Sequence, residues 1–108
     1  MDYQTHMQII APVLSYSFCI QLSSTVCADL TQKALNVYKE KKNMRLLQIC
    51  HHLTAAIKAQ AMELQYVGQD ELRQACGGAG VLMASGVASN WADCAPALTF
   101  EGTTTVLY

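Results

Sequence analysis

Residues 46–67 read LLQICHHLTAAIKAQAMELQYV, and within them Leu46, Cys50, Leu53, Ile57, Gln60, Leu64 and Val67 recur at alternating steps of four and three. At about 3.6 residues per turn, that spacing lays all seven on one helical stripe with a single polar interruption. Such a stripe is a packing seam and asks for a partner helix. The preceding arm supplies one: Ile9, Val13, Tyr16 and Ile20, then Val26, Leu30, Ala34 and Val37, continue a similar pattern. Asn43, between Lys41-Lys42 and Met44, is the one break in the helical reading before Tyr66. The two arms are therefore predicted to form an antiparallel hairpin. Pro12 lacks a backbone N–H, so the first helix is expected to begin near it or kink there. Lys39, Glu40, Lys41, Lys42 and Arg45 cluster at the predicted turn, where cations suit a helix C-terminus and solvent takes their charge.

The whole chain has 108 residues, enough for one core and not for two domains. Seven Lys and Arg against eight Asp and Glu give a net charge of −1, which lacks the basic excess that phosphate-backbone binding needs. Nucleic acid is accordingly not an expected partner. A hydrophobic content of 52% excludes a disordered chain, because apolar burial can offset the entropy of ordering. The five cysteines, Cys19, Cys27, Cys50, Cys76 and Cys94, are odd in number and include no C-x-x-C pair, so they read as reduced intracellular thiols. From Tyr3 to Ala28 there is no charged residue. Gln4, Gln8, Ser15, Ser17 and Gln21 interrupt the run, and Asp2 stands where a signal peptide wants positive charge. A helix packed on several sides by other protein is expected there, rather than membrane insertion.

All six glycines lie from Gly68 onward, and the composition shifts there to small residues. Gln69 to Cys76 can make two helical turns, and Gly77-Gly78-Ala79-Gly80 must form a turn or a close backbone approach. Ser85 to Cys94 can form another short helix, which Pro96 ends. Thr104, Thr105 and Val106 are β-branched, and local propensity alone favours extended chain for them.

Few residues in this half suggest chemistry by themselves. The Gly77–Gly80 loop could present bare N–H groups to an anion, but it matches neither common phosphate motif, and a tight turn is glycine's commoner use. Glu101 lies in an otherwise uncharged stretch from Cys94 onward; apolar surroundings raise a carboxylate's proton affinity and suit a general base, whereas an ordinary first-turn glutamate is the plainer reading. Cys50, His51 and His52 point apart on a helix and form no metal site. Cys76 reads as a small buried hydrophobe, with Arg73 the sole neighbour able to activate it. Trp91, with Val87 on the preceding turn, reads as core.

Taken in order, Arg73-Gln74-Ala75-Cys76-Gly77-Gly78-Ala79-Gly80, then Ser85-Gly86, then Ala95-Pro96-Ala97-Leu98-Thr99-Phe100-Glu101-Gly102 and Thr103-Thr104-Thr105-Val106 resemble the C-terminal helical domain of acyl-CoA oxidases. The same segments are also similar to acyl-CoA dehydrogenases, but Ala92-Asp93 stands where dehydrogenases carry an arginine-aspartate pair, and the oxidase pattern is the closer. The resemblance implies an all-α bundle, with a long antiparallel hairpin, short helices and Glu101 at a helix start. It implies FAD as cofactor, a fatty acyl-CoA and O2 as substrates, a homodimer or further oxidase domains as partners, and a peroxisomal location. By the same resemblance Glu101 is the catalytic base of fatty-acid β-oxidation's first step, while Gln74, Gly77, Gly78, Gly102 and Thr103 lie along the flavin. Ala79 and Val81 replace the family's usual His and Tyr, Ala88 a proline, and Thr103-Thr104 a Glu-Asn pair. The chain is expected to be one helical domain, residues 1–108, of a larger subunit, the alternatives being a non-catalytic assembly module or a dehydrogenase fragment.

Overall fold

The computed structural model describes residues 3–107; Asp2 lies outside them, so its reading against a signal peptide is not addressed. Helix α1 spans Gln4–Lys41, α2 Arg45–Ala75, α3 Val87–Cys94 and α4 Thr104–Leu107, joined by 3-10 turns at Gly77–Gly80, Met83–Ser85 and Ala95–Leu98. No strand occurs among the described residues, so the all-α expectation holds and the extended propensity of residues 104–106 is overridden. The predicted break at Asn43 is built by its own side chain: Oδ1 accepts from the Arg45 N–H at 3.0 Å. Just before it, Lys42 turns left-handed at φ 54° and donates its N–H to the Tyr38 carbonyl, closing α1. Pro12 lies inside α1, whose first residue is Gln4, so the Gln8 carbonyl lacks its helical donor.

The hairpin packs on a sharper seam than the sequence pattern suggested. On α1, Val13, Ile20, Cys27 and Ala34 recur every seven residues, and the last two are buried. On α2 the matching positions are Cys50, Ile57 and Leu64 together with Ala61 and Gly68. A repeat of seven keeps two long helices in register along their length. Leu46, Leu53 and Val67 were expected on this stripe but are 37%, 43% and 51% exposed, and Val26 on α1 is 57% exposed. On α2 the buried line runs through Cys50, Ala61 and Gly68, and at 3.6 residues per turn Leu53 and Val67 fall to one side of it. Gly68 lies close to α1, since a Cβ there would come within 2.5 Å of Tyr16 Oη. It is therefore a contact point inside α2, and the helix runs through it to Ala75 rather than breaking.

The C-terminal segment covers a second side of α2. Trp91 stacks on Tyr66 at 5.3 Å, Arg73 lies 5.0 Å from the Trp91 ring, and Ala59 is fully buried. The rest of the surface is open. A compact chain of this mass would expose about 5,900 Å², whereas this one exposes 7709 Å². Its radius of gyration is 17.7 Å, against about 13 Å for a compact domain of this length. Met7, Leu14, Phe18 and Leu22 line the side of α1 opposite the seam, each at least half exposed. By length and composition α1 could cross a membrane, with an 18-residue window of mean hydropathy 1.5 that is not buried within the chain. Within this chain α1 is packed on one side, against α2.

Candidate functional site

The sequence-derived site residues fall into two groups, one at each end of the C-terminal segment. The first begins where α2 stops. Cys76 donates its N–H to the Leu72 and Arg73 carbonyls, and the chain then turns through Gly77–Gly80. Three glycines here have three different explanations. Gly77 sits at φ 60°, where a side chain is strained. Gly80 is buried against α2, and a Cβ on it would overlap the Arg73 carbonyl oxygen. Gly78 has an ordinary φ and nothing within 4 Å of an added Cβ, so nothing inside this chain requires glycine there.

Gln74 stands beside this turn with its side chain tethered, its Nε2 donating to Asp70 Oδ2 at 2.7 Å. Asp70 also accepts from Arg73 Nε at 3.0 Å, and these hydrogen bonds, Arg73's first, hold its carboxyl below the usual aspartate range. Arg73 is thereby committed to Asp70 and Trp91 and is not free to activate Cys76. Cys76 itself is exposed, which corrects its reading as a buried hydrophobe. The Ser85-Gly86 pair does structural work: Gly86 takes φ 74°, and Ser85 Oγ accepts from the Val87 N–H at 3.3 Å, starting α3.

The second group surrounds Glu101. The Pro96 carbonyl accepts from the N–H groups of Thr99 and Phe100, and the chain then reverses through two consecutive left-handed residues, Glu101 at φ 58° and Gly102 at φ 100°. Glu101 thus lies in a turn just ahead of α4, and the Thr103 carbonyl accepts the first helical N–H bonds from Val106 and Leu107. For a non-glycine residue this backbone region costs about 1 kcal/mol or more, and such residues concentrate at functional sites. Glu101 shares a cavity of about 220 Å³ with His51, Thr54, Ala55, Lys58 and Leu107. Within this chain the carboxylate is exposed and so is Phe100, so the apolar enclosure expected from the sequence is not supplied by these residues. Lys58, which sequence reading passed over, donates from Nζ to the Gly102 carbonyl at 2.6 Å. Its signal was available: it is the one Asp, Glu, Lys or Arg between Arg45 and Glu63.

The two groups do not meet. Lys58 and Gln74 are sixteen residues apart on α2, about 24 Å along a helix axis. His51 and His52 are exposed, and no cluster of three His, Cys, Asp or Glu suited to a metal ion occurs among the described residues.

Residues 1–108 match the family described as "Acyl-CoA oxidase, C-alpha1 domain", and the chain belongs to that family. It is 32% identical over 107 residues to peroxisomal acyl-coenzyme A oxidase 1 of Cavia porcellus, covering 99% of this chain and 16% of that protein. It is 30% identical over 108 residues to peroxisomal acyl-coenzyme A oxidase 2 of Rattus norvegicus, with 100% and 16% covered. The human peroxisomal acyl-coenzyme A oxidase 1 is 29% identical over 107 residues. The chain thus spans about 16% of the length of the curated relatives it matches. No solved structure gives a significant match.

Proposed function

We propose that this domain contributes the catalytic base and part of the flavin-binding surface of a peroxisomal acyl-CoA oxidase, which converts a fatty acyl-CoA to the trans-2-enoyl-CoA while O2 becomes hydrogen peroxide. The observation that carries this reading is the family match over every residue of the chain. Two features of the geometry support it, because each concerns a residue whose identity the fold does not explain. Gly78 is bare with nothing in the chain to demand it, and Glu101 occupies a backbone region that favours glycine.

The residues suit an FAD site divided between two places. Gly77 and Gly78 offer open backbone that a large planar ligand can approach, Gln74 is held in place by Asp70, and Gly102 and Thr103 adjoin the base. FAD, when bound, takes up the hydride from the β-carbon of the substrate and passes the two electrons to O2. The remaining chemistry is a proton transfer. A thioester α-proton is only weakly acidic, so a carboxylate must meet it at hydrogen-bond distance. The Glu101 carboxylate accepts that proton and later releases it to solvent, returning to its starting form. Since Glu101 is exposed here, the enclosure that strengthens such a step comes from protein outside these residues, either further domains or a second subunit.

The test is made on the purified flavoprotein containing this domain, with a series of saturated acyl-CoAs. Flavin bleaching without oxygen, followed by about one equivalent of hydrogen peroxide on aeration, is expected. Bleaching without peroxide would make it a dehydrogenase, and neither would remove the oxidase reading. A second reading is favoured by the uncovered face of α1, on which Met7, Leu14, Phe18 and Leu22 are exposed: an assembly module that does no chemistry. It predicts a protein that binds a partner and no flavin.

A further inference from the structure

Glu101 and Gly102 form a turn that the local sequence does not favour, so something must hold it. Two consecutive left-handed residues, the first carrying a side chain, relax unless their surroundings over-determine them. Two contacts do so. Leu107 returns from α4 onto Gly102, where an added Cβ would lie 3.1 Å from its Cδ2. From the other side, the Lys58 ammonium donates to the Gly102 carbonyl at 2.6 Å, across 44 residues of sequence. This is a charge-assisted hydrogen bond, roughly twice as strong as a neutral one. It joins the turn to α2, a helix of 31 residues, so the reference frame is rigid.

We infer that Lys58 is a positioning residue for Glu101: by holding the Gly102 carbonyl it fixes the left-handed turn and so sets where the carboxylate points. The assignment rests on the proposed role of Glu101 as the base. Lys58 does not need to touch substrate. Its ammonium is committed to a backbone oxygen adjoining the residue that carries the carboxylate, and both side chains line the same cavity. A displacement of about 1 Å in a catalytic group can cost on the order of a hundredfold in rate. Methionine at position 58 has no N–H to donate to this carbonyl, whereas arginine keeps donors that can reach it.

The test compares wild type, Lys58→Met, Lys58→Arg and Glu101→Gln in the complete flavin-containing protein by two readouts. Amide hydrogen exchange of residues 101–107 is expected to quicken about tenfold or more in Lys58→Met, to return toward wild type in Lys58→Arg, and to stay unchanged in the α1–α2 hairpin. Turnover is expected to fall tenfold to a hundredfold in kcat for Lys58→Met with KM nearly constant, and to recover in part with arginine. Unchanged exchange in Lys58→Met overturns the latch. Quickened exchange with wild-type kcat overturns the positioning role. If Glu101→Gln keeps full turnover, the base reading fails on its own, while the exchange result still decides whether Lys58 holds the turn.

Discussion

Two regions that meet α2 at different places, one at its C-terminal end and one near its middle, use glycine and its absence in contrasting ways. At the Gly77–Gly80 turn, Gly80 is dictated by a backbone contact and Gly77 by its dihedral angle, and only Gly78 has no internal cause. At the Glu101 turn the situation is inverted, because a glutamate occupies a position where glycine would be at ease. One region spends glycines on folding and leaves one over; the other keeps a side chain against the backbone's preference. Lys42 has the same left-handed backbone in its role as the cap that closes α1, whereas Gly78 and Glu101 are left for the proposed function to explain.

The contrast can be broken by substitution. Gly80→Val should be the most damaging change, costing about 3 kcal/mol, because the obstructing atom is a backbone carbonyl that cannot swing away. A denaturation midpoint close to wild type would show that the turn does not pack on α2. Gly68→Leu comes next, at about 2 kcal/mol, since Tyr16 and Val13 can yield part of the space. Glu101→Gly should raise stability by up to about 1 kcal/mol through relief of the left-handed residue, even as it removes the carboxylate. A loss of stability would mean that the turn is not strained. Gly78→Ala should be smallest, within about 0.5 kcal/mol of neutral or slightly stabilising, yet it should weaken FAD binding measurably by titration.

Acid probes the first of these regions through Asp70. The Asp70 carboxyl that tethers Gln74 has its proton affinity lowered by Arg73 and Gln74. Its contribution is therefore fully present above the ordinary aspartate value of about 3.9 and is lost as pH falls through the lower folded value. NMR signals of Gln74 Nε2 should shift below about pH 4 as Asp70 takes up its proton. At the opposite extreme, burial and the nearby Glu71 carboxylate raise the Tyr16 phenol. Its contribution is present below about pH 10 and is lost as pH rises through the higher folded value, loosening the hairpin at Gly68.

Much of this architecture was readable in the chain itself. The hairpin followed from the four-and-three spacing and from Asn43, and the Gly77–Gly80 turn from composition. The register of the seam was not readable from hydrophobicity alone. Periodicity locates an apolar stripe without fixing its centre, and the buried line runs through Cys50, Ala61 and Gly68 with Leu53 and Val67 to one side. The helical end at residues 104–107 opposed β-branched propensity, and only the resemblance to acyl-CoA oxidases anticipated it. The resemblance singles out Glu101, but its left-handed backbone and its link to Lys58 arise from the tertiary fold. A hydrogen bond across 44 residues has no local sequence signal beyond a lone lysine on an apolar stretch.

The most direct test of the central claim is the rate of anaerobic flavin reduction by an acyl-CoA in Glu101→Gln, measured on protein that retains its full complement of FAD. Loss of a general base predicts a fall of about a hundredfold to ten-thousandfold, with the fold and flavin content unchanged. Reduction at the wild-type rate would contradict the assignment of Glu101 as the base.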